Sequence, residues 1–393
     1  MNRILFIVLI LALGITENAK AQSSTTGAGV VSSAVPFLSI APDSRGGAIG
    51  DAGAATMPDI NSQYWNPAKY AFIESSTGLA LSYTPWLRNI VQDMNLAYLV
   101  GYHKIDELQT LSGSLRYFDL GSMQFYDNQG NPMNSGNPNE FSIDAAYALK
   151  LTETWSGSVG FRYILSDIYS GVNAVPGATV TDLSAGSSFA ADVAFFYNKT
   201  FIRQRKESNI AWGVNVSNIG SKISYDGGEV SDFIPTNLRT GIAYTTEIDQ
   251  FNKMSFAFDV NKLLVPTPEF EMEDGVPVYS GHGNSLIGPI EGIFKSFYDA
   301  PGGLSEELNE ITFSLGAEYW YSNQFALRAG YFHEHADKGN RKFLTFGAGL
   351  KMNVFAIDFS YIVTPGLSST SPLANTLRFT LGFDLDNFRQ QGR

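Results

Sequence analysis

Several features are scarce or missing in this sequence of 393 residues. Cysteine is absent, which excludes disulfides, thiolate metal sites and lipidation of an N-terminal cysteine. Charged residues make up only 16%, against roughly 25% in an ordinary soluble domain. Acidic residues outnumber basic ones by 38 to 26, and the net charge of −12 argues against nucleic acid as a partner. No apolar run reaches the roughly 20 residues of a spanning helix.

The first residues have the pattern of a secretory signal peptide. Arg3 supplies a positive charge, residues 4–15 form a short apolar run, and Ala19-Lys20-Ala21 is a small-x-small cleavage site. A membrane anchor is the alternative, but the run is too short to span a bilayer. We therefore expect residues 1–21 to be removed and the mature protein to begin near Gln22.

After residue 75 the dominant pattern is a period of two, which is typical of β-strands. In "ANTLRFTLGFDLDNF" the residues Leu377, Phe379 and Leu381 share an apolar face, whereas the intervening positions are small or charged. About fourteen segments of this kind can be counted. They start near residues 77, 94, 111, 139, 154, 186, 208, 236, 252, 308, 323, 341, 353 and 374.

Connection lengths favour a membrane barrel over a soluble sandwich. Connections after even-numbered segments are short, whereas those after odd-numbered segments are mostly long, including 120–138, 167–185, 219–235 and 265–307. Short turns on one side and long loops on the other are typical of outer-membrane barrels. The sequence therefore predicts an all-β fold, a transmembrane antiparallel barrel over residues 76–393 with its long loops outside the cell.

The two faces of these strands support the same interpretation. The polar face carries small residues with scattered opposite charges, which suit a narrow, internally paired lumen: Arg116, Arg162, Asp192, Arg239, Asp259, Glu318, Arg328, Asp358 and Arg378. Aromatic residues near segment ends suit interfacial girdles: Trp86, Tyr102, Trp155, Tyr197, Tyr321 and Tyr361.

Residues 22–75 precede the first strand and contain frequent turn and breaker residues, including "RGGAIGDAG" at 45–53 and Pro67. The segment also carries apolar side chains that are poorly suited to water: Phe37, Leu38, Ile40, Tyr64, Trp65, Tyr70 and Phe72. A disordered leader is the alternative. We expect an N-terminal plug or hatch segment inside the barrel.

"NPA" at 66–68, just ahead of the first strand, resembles the hatch motif of the FadL-like family of fatty-acid channels. The blocks at 37–73 and 292–321 are similar to the outer-membrane barrel of the type IX secretion system in Bacteroidetes. This resemblance covers nearly the whole mature chain. It implies an outer-membrane protein that binds the C-terminal signal domain of secreted cargo at a large translocon barrel. It further implies delivery of that cargo to a surface attachment complex containing a sortase-like protease. The alternative is a FadL-like channel for uptake of hydrophobic small molecules.

Three groups of residues are candidates for function. Asn66, Pro67 and Ala68 are expected to form a turn that locks the plug. Ile293, Phe294, Phe297 and Tyr298 have spacings that place them on one side of a short helix. That apolar side is either a docking surface for cargo or translocon, or a lid over the barrel mouth. Tyr64, Trp65 and Phe72 are candidates to line a hatch pocket, where a channel would hold a lipid.

The sequence offers little catalytic or metal-binding chemistry. His333 and His335 place two imidazoles on one side of a strand end, but no third ligand is evident, so solvated loop histidines are the preferred interpretation. The acidic run from Glu269 to Asp274 does not match the EF-hand spacing. There is no G-x-S-x-G elbow. We assign no catalytic, cofactor-binding or metal-binding residue, and a lipid-modifying enzyme is the least favoured hypothesis.

Overall fold

The structure is a computed structural model that describes residues 30–88, 90–126, 131–170, 183–228, 230–267, 270–273, 276–279, 287–364 and 372–386. The predicted signal peptide at 1–21 and much of the predicted loop at 167–185 lie outside these residues. Among the described residues, no helix has the length and apolar character needed to cross a membrane.

Fourteen antiparallel strands close into a barrel, in which the first strand pairs with the last. The first seven are β1 (Thr77–Pro85), β2 (Asn95–Lys104), β3 (Gln109–Asp119), β6 (Asn139–Lys150), β7 (Trp155–Asp167), β8 (Gly186–Arg203) and β9 (Lys206–Gly220). The others are β10 (Asn237–Glu247), β11 (Asn252–Leu263), β14 (Thr312–Tyr321), β15 (Phe325–His333), β16 (Lys342–Lys351), β17 (Phe355–Val363) and β18 (Leu377–Asp384). This arrangement confirms the predicted fold class.

The long connections carry additional elements. Two short hairpins lie in them, β4 (Met123–Tyr126) with β5 (Pro132–Gly136), and β12 (Phe270–Glu273) with β13 (Val276–Tyr279). The connection from β11 to β14 also holds two helices, Pro289–Lys295 and Leu304–Asn309, called α3 and α4 below. Connections after even-numbered barrel strands contain only a few residues, as between Tyr321 and Phe325. By the usual orientation of such barrels, the short turns face the periplasm.

The alternation of the strands separates the outside of the barrel from its interior. Phe313 and Leu315 on β14 are exposed, whereas Ser314 and Glu318 on the other face are buried. Because the exposed side chains of the wall are apolar, the outer surface matches the hydrocarbon core of a bilayer. The charged face points inwards, where most of its members are buried in ion pairs.

Two of the aromatic residues predicted for the girdles have other positions. Tyr102 is buried inside the barrel, where its ring lies 5.1 Å from that of Tyr70. Trp86 packs against an apolar cluster at the external mouth that includes Phe37 and Phe118. The inner face of β2 is apolar because it packs on the chain ahead of β1, so alternation alone assigns Tyr102 to the wrong side.

The described residues ahead of β1, at 30–76, are called the N-terminal segment. They contain a 3₁₀ helix (Pro36–Ser39), α1 (Ser44–Ala48), α2 (Ser62–Trp65) and a second 3₁₀ helix (Pro67–Phe72). The segment runs through the barrel from its external mouth towards the periplasmic end. At the mouth, the Ala34 amide donates to the Phe233 carbonyl, and at the far end Ile73 accepts from Lys104 Nζ at 2.9 Å.

Candidate functional site

Asp43 organises the N-terminal segment around Trp65. It is the N-cap of α1, where one carboxylate oxygen accepts from the Gly46 amide at 2.8 Å. The other oxygen accepts from the Trp65 indole nitrogen at 2.6 Å. One buried carboxylate thus starts a short helix and fixes the largest side chain of α2.

Two glycines make room for the Trp65 ring. A Cβ at Gly46 or at Gly53 would lie only 2.2 Å from ring carbons of Trp65, closer than side chains ever approach. The glycines that the sequence shows at 45–53 therefore permit close packing of the backbone against an indole. Trp65 as a whole is only 2% exposed.

The predicted turn at Asn66, Pro67 and Ala68 is fully buried against the barrel wall. Asn66 Oδ1 accepts from the Ala68 amide at 3.0 Å and caps the following 3₁₀ helix, with Pro67 at its first position. The side-chain nitrogen of Asn66, Nδ2, donates to the carbonyls of Ala54 and of Phe195 on β8. Ser156 on β7 donates to the Ala68 carbonyl at 2.7 Å. The motif is thus bonded both to its own segment and to two strands.

Arg45 joins the segment to the opposite side of the wall. Its guanidinium donates two hydrogen bonds to Glu318 on β14, at 2.9 and 2.8 Å, and a third to Asp59 at 2.8 Å. Glu318 also accepts from Arg328 on β15, which in turn donates to Asp358 on β17, both at 2.6 Å. We call these five side chains the arginine relay. Bidentate geometry makes the Arg45–Glu318 contact the strongest kind of ion pair.

Two further wall carboxylates hold the segment. Asp259 on β11 accepts from the amides of Gly53 and Ala54, at 2.7 and 2.8 Å. Asp144 on β6 accepts from the Gln63 side chain at 2.9 Å and is ion-paired with Arg162 on β7. The segment is therefore bonded to charged side chains from strands all around the barrel.

Burial perturbs two titratable groups of the segment. It raises the pKa of Asp43 to about 6, and the nearby Asp59 carboxylate acts in the same direction. It lowers the pKa of Lys69 to about 8, although Lys69 Nζ donates to the Gly53 carbonyl at 2.9 Å and to Thr56 at 3.0 Å. Both groups are thus shifted towards their neutral forms.

A cavity of about 1500 Å³ lies above the N-terminal segment and opens at the external mouth. Tyr64 and Trp65, two of the predicted pocket residues, line it. The guanidinium of Arg239 lies over both rings, 5.1 and 4.6 Å from their centroids. The third predicted residue, Phe72, is not part of this lining and packs against Phe196 towards the periplasm, with ring centroids 5.8 Å apart.

The predicted docking residues lie on the external connection between β11 and β14. Phe294, Phe297 and Tyr298 are exposed, by 66%, 47% and 73%, whereas Ile293 is half-buried. The helix α3 ends at Lys295, so Phe297 and Tyr298 lie in the turn that follows it rather than on a continuous helix. Further apolar side chains extend this exposed surface: Ile290, Leu304 and Leu308.

Buried ion pairs fix this connection to the barrel. Lys262 on β11 donates to Glu307 at 3.0 Å and to Glu310 at 2.6 Å. Lys338, between β15 and β16, donates to Glu306 at 2.6 Å and to Glu310 at 3.1 Å. These five side chains, here called the lysine clamp, hold α4 and the chain after it on the rim of the barrel.

The histidines show no metal-binding arrangement in the described residues, where no group of three ligand side chains is brought together. His333 ends β15 and its ring contacts Tyr331, whereas His335 starts the short 3₁₀ helix that follows. Of the acidic run considered above, Glu269 and Asp274 lie outside the described residues.

Sequence reasoning identified Glu318, Arg328 and Asp358 as lumen charges but missed their partner Arg45. It also missed Asp43 and both lysines of the clamp. For Asp43 and Arg45 the sequence did contain a signal, because both are charged residues within an apolar segment. In addition, Asp-Ser-Arg-Gly at 43–46 has the form of a helix N-cap.

A closed barrel with an apolar outer face, an ion-paired interior and long loops on one side defines an outer-membrane β-barrel protein. Within that class, the sequence matches the family described as type IX secretion system protein PorV over residues 23–270, well over half of the chain. The chain belongs to the PorV family, which comprises outer-membrane components of the type IX secretion system and is not enzymatic in general.

Solved structures of other outer-membrane barrels are also similar. The toluene transporter TbuX of Ralstonia pickettii is 11% identical, with 88% of this chain and 96% of that chain covered and a TM-score of 0.42. The toluene transporter TodX of P. putida is 9% identical, with 88% of this chain and 96% of that chain covered and a TM-score of 0.48. A FadL homologue of Pseudomonas aeruginosa is 13% identical, with 87% of this chain and 98% of that chain covered and a TM-score of 0.41. No curated protein sequence matches the chain.

Proposed function

We propose that this protein binds the C-terminal signal domain of secreted cargo at the type IX translocon and carries the cargo to the sortase-like attachment complex. The family match supports the secretion role. The observation that carries the binding role is the exposed apolar surface on the connection between β11 and β14, which lies beyond the matched residues.

The structure of that connection suits a docking surface. Exposed aromatic side chains such as Phe294 and Tyr298 are the residue types that contribute most energy to protein interfaces. The lysine clamp holds the chain next to them in place before any partner arrives, so little conformational entropy is lost on binding. A surface that is both apolar and held in this way is expected to bind a folded domain.

Site-specific photocrosslinking tests this proposal. A photoreactive residue at Phe294 or Tyr298 is expected to crosslink to the C-terminal domain of cargo in cells that are secreting it. The control is the same residue at Val230, which is exposed on another external loop. Equal crosslinking at the control position, or none at Phe294 and Tyr298 while secretion continues, would contradict the proposal.

We further propose that the N-terminal segment closes the lumen, so that cargo does not pass through this barrel. Its bonds to Asp259, Asp144 and Glu318 reach strands on different sides of the wall. In planar bilayers, the protein is then expected to show no steady conductance. Removing residues 22–75 should produce open channels.

Uptake of hydrophobic small molecules remains the second candidate, because the cavity ends on Tyr64 and Trp65. Under that alternative, vesicles containing the protein would take up a labelled fatty acid faster than empty vesicles. Replacing Tyr64 by a charged residue such as glutamate would stop the uptake. Uptake at the rate of empty vesicles would exclude the channel and leave the secretion role in place.

A further inference from the structure

The β8–β9 hairpin differs from the other periplasmic turns in length and in charge. β8 contains 18 residues, whereas roughly 9–11 residues suffice to cross a bilayer. The pairing of β7 with β8 ends at Trp155 and Tyr197, so the residues from Lys199 onwards pair with β9 alone. The tip therefore projects past the neighbouring strand β7 by roughly 15 Å along the strand direction.

The tip keeps its strand pairing to the end. Arg203 pairs with Lys206, and only Gln204 and Arg205 connect the two strands. Both connecting residues have positive φ angles, 51° and 62°, as in the tight turns that match the twist of a hairpin. Beyond β7 the hairpin is thus continuously paired: β10 flanks β9 as far as Ser208, and residues 202–207 form a two-stranded tip.

Positive charge is concentrated at this tip. Residues 199–207 contain four basic side chains, Lys199, Arg203, Arg205 and Lys206, and a single acidic one, Glu207. The other connections on the periplasmic side contain no lysine or arginine and have at most one lysine at the adjoining strand ends, and those at 105–108, 151–154 and 248–251 carry acidic residues. A basic tip on a chain with a net charge of −12 marks a surface for an anionic partner.

The direction of the side chains indicates which anion. Tyr197, Lys199 and Arg203 are separated by even numbers of residues in an unbroken register, so they lie on the same face of β8. That face is the lipid-facing one, because Phe195 and Val193 on it are exposed apolar residues of the wall. Lys206 pairs with Arg203 and lies on the same face.

An aromatic cluster lies where this face leaves the barrel. The ring of Trp155 lies 5.0 Å from Tyr197 and 5.8 Å from Trp212, and both tryptophans are partly exposed to the outside. Tryptophan and tyrosine mark the level of the lipid headgroups in membrane proteins. Going towards the periplasm, the same surface thus carries apolar residues, then aromatic rings, then Lys199, Arg203 and Lys206.

We propose that this hairpin binds anionic phospholipid headgroups of the periplasmic leaflet. Basic side chains just beyond an aromatic belt lie at the depth of lipid phosphates, which they bind by charge-assisted hydrogen bonds. An acidic periplasmic protein would instead be expected to meet basic residues that point away from the bilayer. The hairpin would thereby fix the rotation and depth of this part of the barrel in the membrane.

Fluorescence quenching by brominated lipid tests the proposal, because Trp155 and Trp212 lie beside the hairpin. The full-length protein is reconstituted in phosphatidylcholine vesicles with an equal small fraction of brominated phosphatidylglycerol or brominated phosphatidylcholine. Quenching by the brominated phosphatidylglycerol is expected to be stronger, and the excess should fall as salt is raised.

The double variant R203Q/K206Q should lose most of this excess, since each basic side chain near an anionic surface contributes roughly fivefold in affinity. The matched control K253Q/K351Q removes two lysines from other strand ends and should keep the excess. Equal quenching by the two lipids in the unmodified protein would overturn the proposal. So would an excess that survives in the hairpin variant.

Discussion

At the level of single residues, attachment of the N-terminal segment depends most on Arg45. Arg45 and its partner Glu318 are both largely shielded from solvent, with side-chain exposures of 12% and 5%. Breaking a buried ion pair from one side leaves the other charge without its full compensation. The arginine relay makes this effect large. Once Arg45 is removed, Arg328 is the remaining ion-pair partner of Glu318 in the relay, and it is also paired with Asp358.

Arg45→Met is therefore expected to weaken attachment of the segment by about 3 kcal/mol. Hydrogen–deuterium exchange of peptides covering residues 43–66 should become markedly faster, whereas the barrel strands should keep their protection. Arg205→Met, which removes an exposed arginine at the β8–β9 turn, should leave the exchange of these peptides unchanged. Unchanged exchange in the Arg45 variant would show that the relay does not hold the segment.

The pKa of Asp43 predicts a pH dependence of the same attachment. The pKa is about 6 in the packed state and near its ordinary value of 3.8 when the segment is released, so the packed state binds a proton more readily. Attachment should therefore strengthen as pH falls from about 6 to about 4. Exchange rates for residues 43–66, corrected for the intrinsic effect of pH, should show this trend, and Asp43→Asn should weaken it. A trend in the opposite direction would contradict the assignment.

At the level of elements, the turn at Asn66, Pro67 and Ala68 connects α2 to the 3₁₀ helix that packs on β6, β7 and β8. The proline fixes the backbone at the first position of that helix, where a missing N–H has no cost. The flanking hydrogen bonds to Phe195 and Ser156 need this backbone to remain in place.

Pro67→Gly should increase the flexibility of the turn and favour the released segment by about 1 kcal/mol. We expect faster proteolysis within residues 54–76 and reduced secretion of cargo. Pro58→Gly, the same change at a position outside any helix of the segment, is the control and should have a smaller effect on both. If Pro67→Gly leaves proteolysis and secretion as they are, the turn does not lock the segment.

The lysine clamp is the corresponding element at the external mouth. Lys262→Met leaves Glu307 with no basic partner among the ion pairs described here and Glu310 with Lys338 alone. The chain at 296–311 should then exchange deuterium faster, and crosslinking from Phe294 to cargo should fall severalfold. Lys351→Met, at an exposed position on the periplasmic side, is the control. If the Lys262 variant shows faster exchange at 296–311 but crosslinks to cargo as well as the unmodified protein, then ordering of this surface by the clamp is not needed for cargo binding.

At the level of the whole molecule, much of the fold follows from the sequence because each strand has one lipid-facing and one lumen-facing side. Most strands begin within two or three residues of their predicted starts, as with Trp155 and Gly186. The exception is β14, predicted near residue 308 but beginning at Thr312, since Glu307 and Glu310 are bound by the clamp lysines and lie at the end of α4.

The site was less predictable, for a physical reason. Contacts such as Arg45–Glu318 and Lys262–Glu310 join residues that are far apart in the chain, and no periodicity encodes them. The pocket prediction combined Tyr64 and Trp65 with Phe72, but the turn at Pro67 directs the third ring to the periplasmic end. The sequence pattern predicted the docking residues as one helix side, although α3 ends before Phe297.

The most direct test of the proposed function is an affinity pull-down of the tagged protein from gently solubilised outer membranes, followed by mass spectrometry. The proposal predicts recovery of a very large translocon barrel together with exported proteins that share a C-terminal domain. Replacing Phe294, Phe297 and Tyr298 by serine should reduce the recovery of cargo severalfold. Recovery of the barrel alone, with bound lipid or fatty acid and no secretion partner, would contradict the cargo role and favour a transporter.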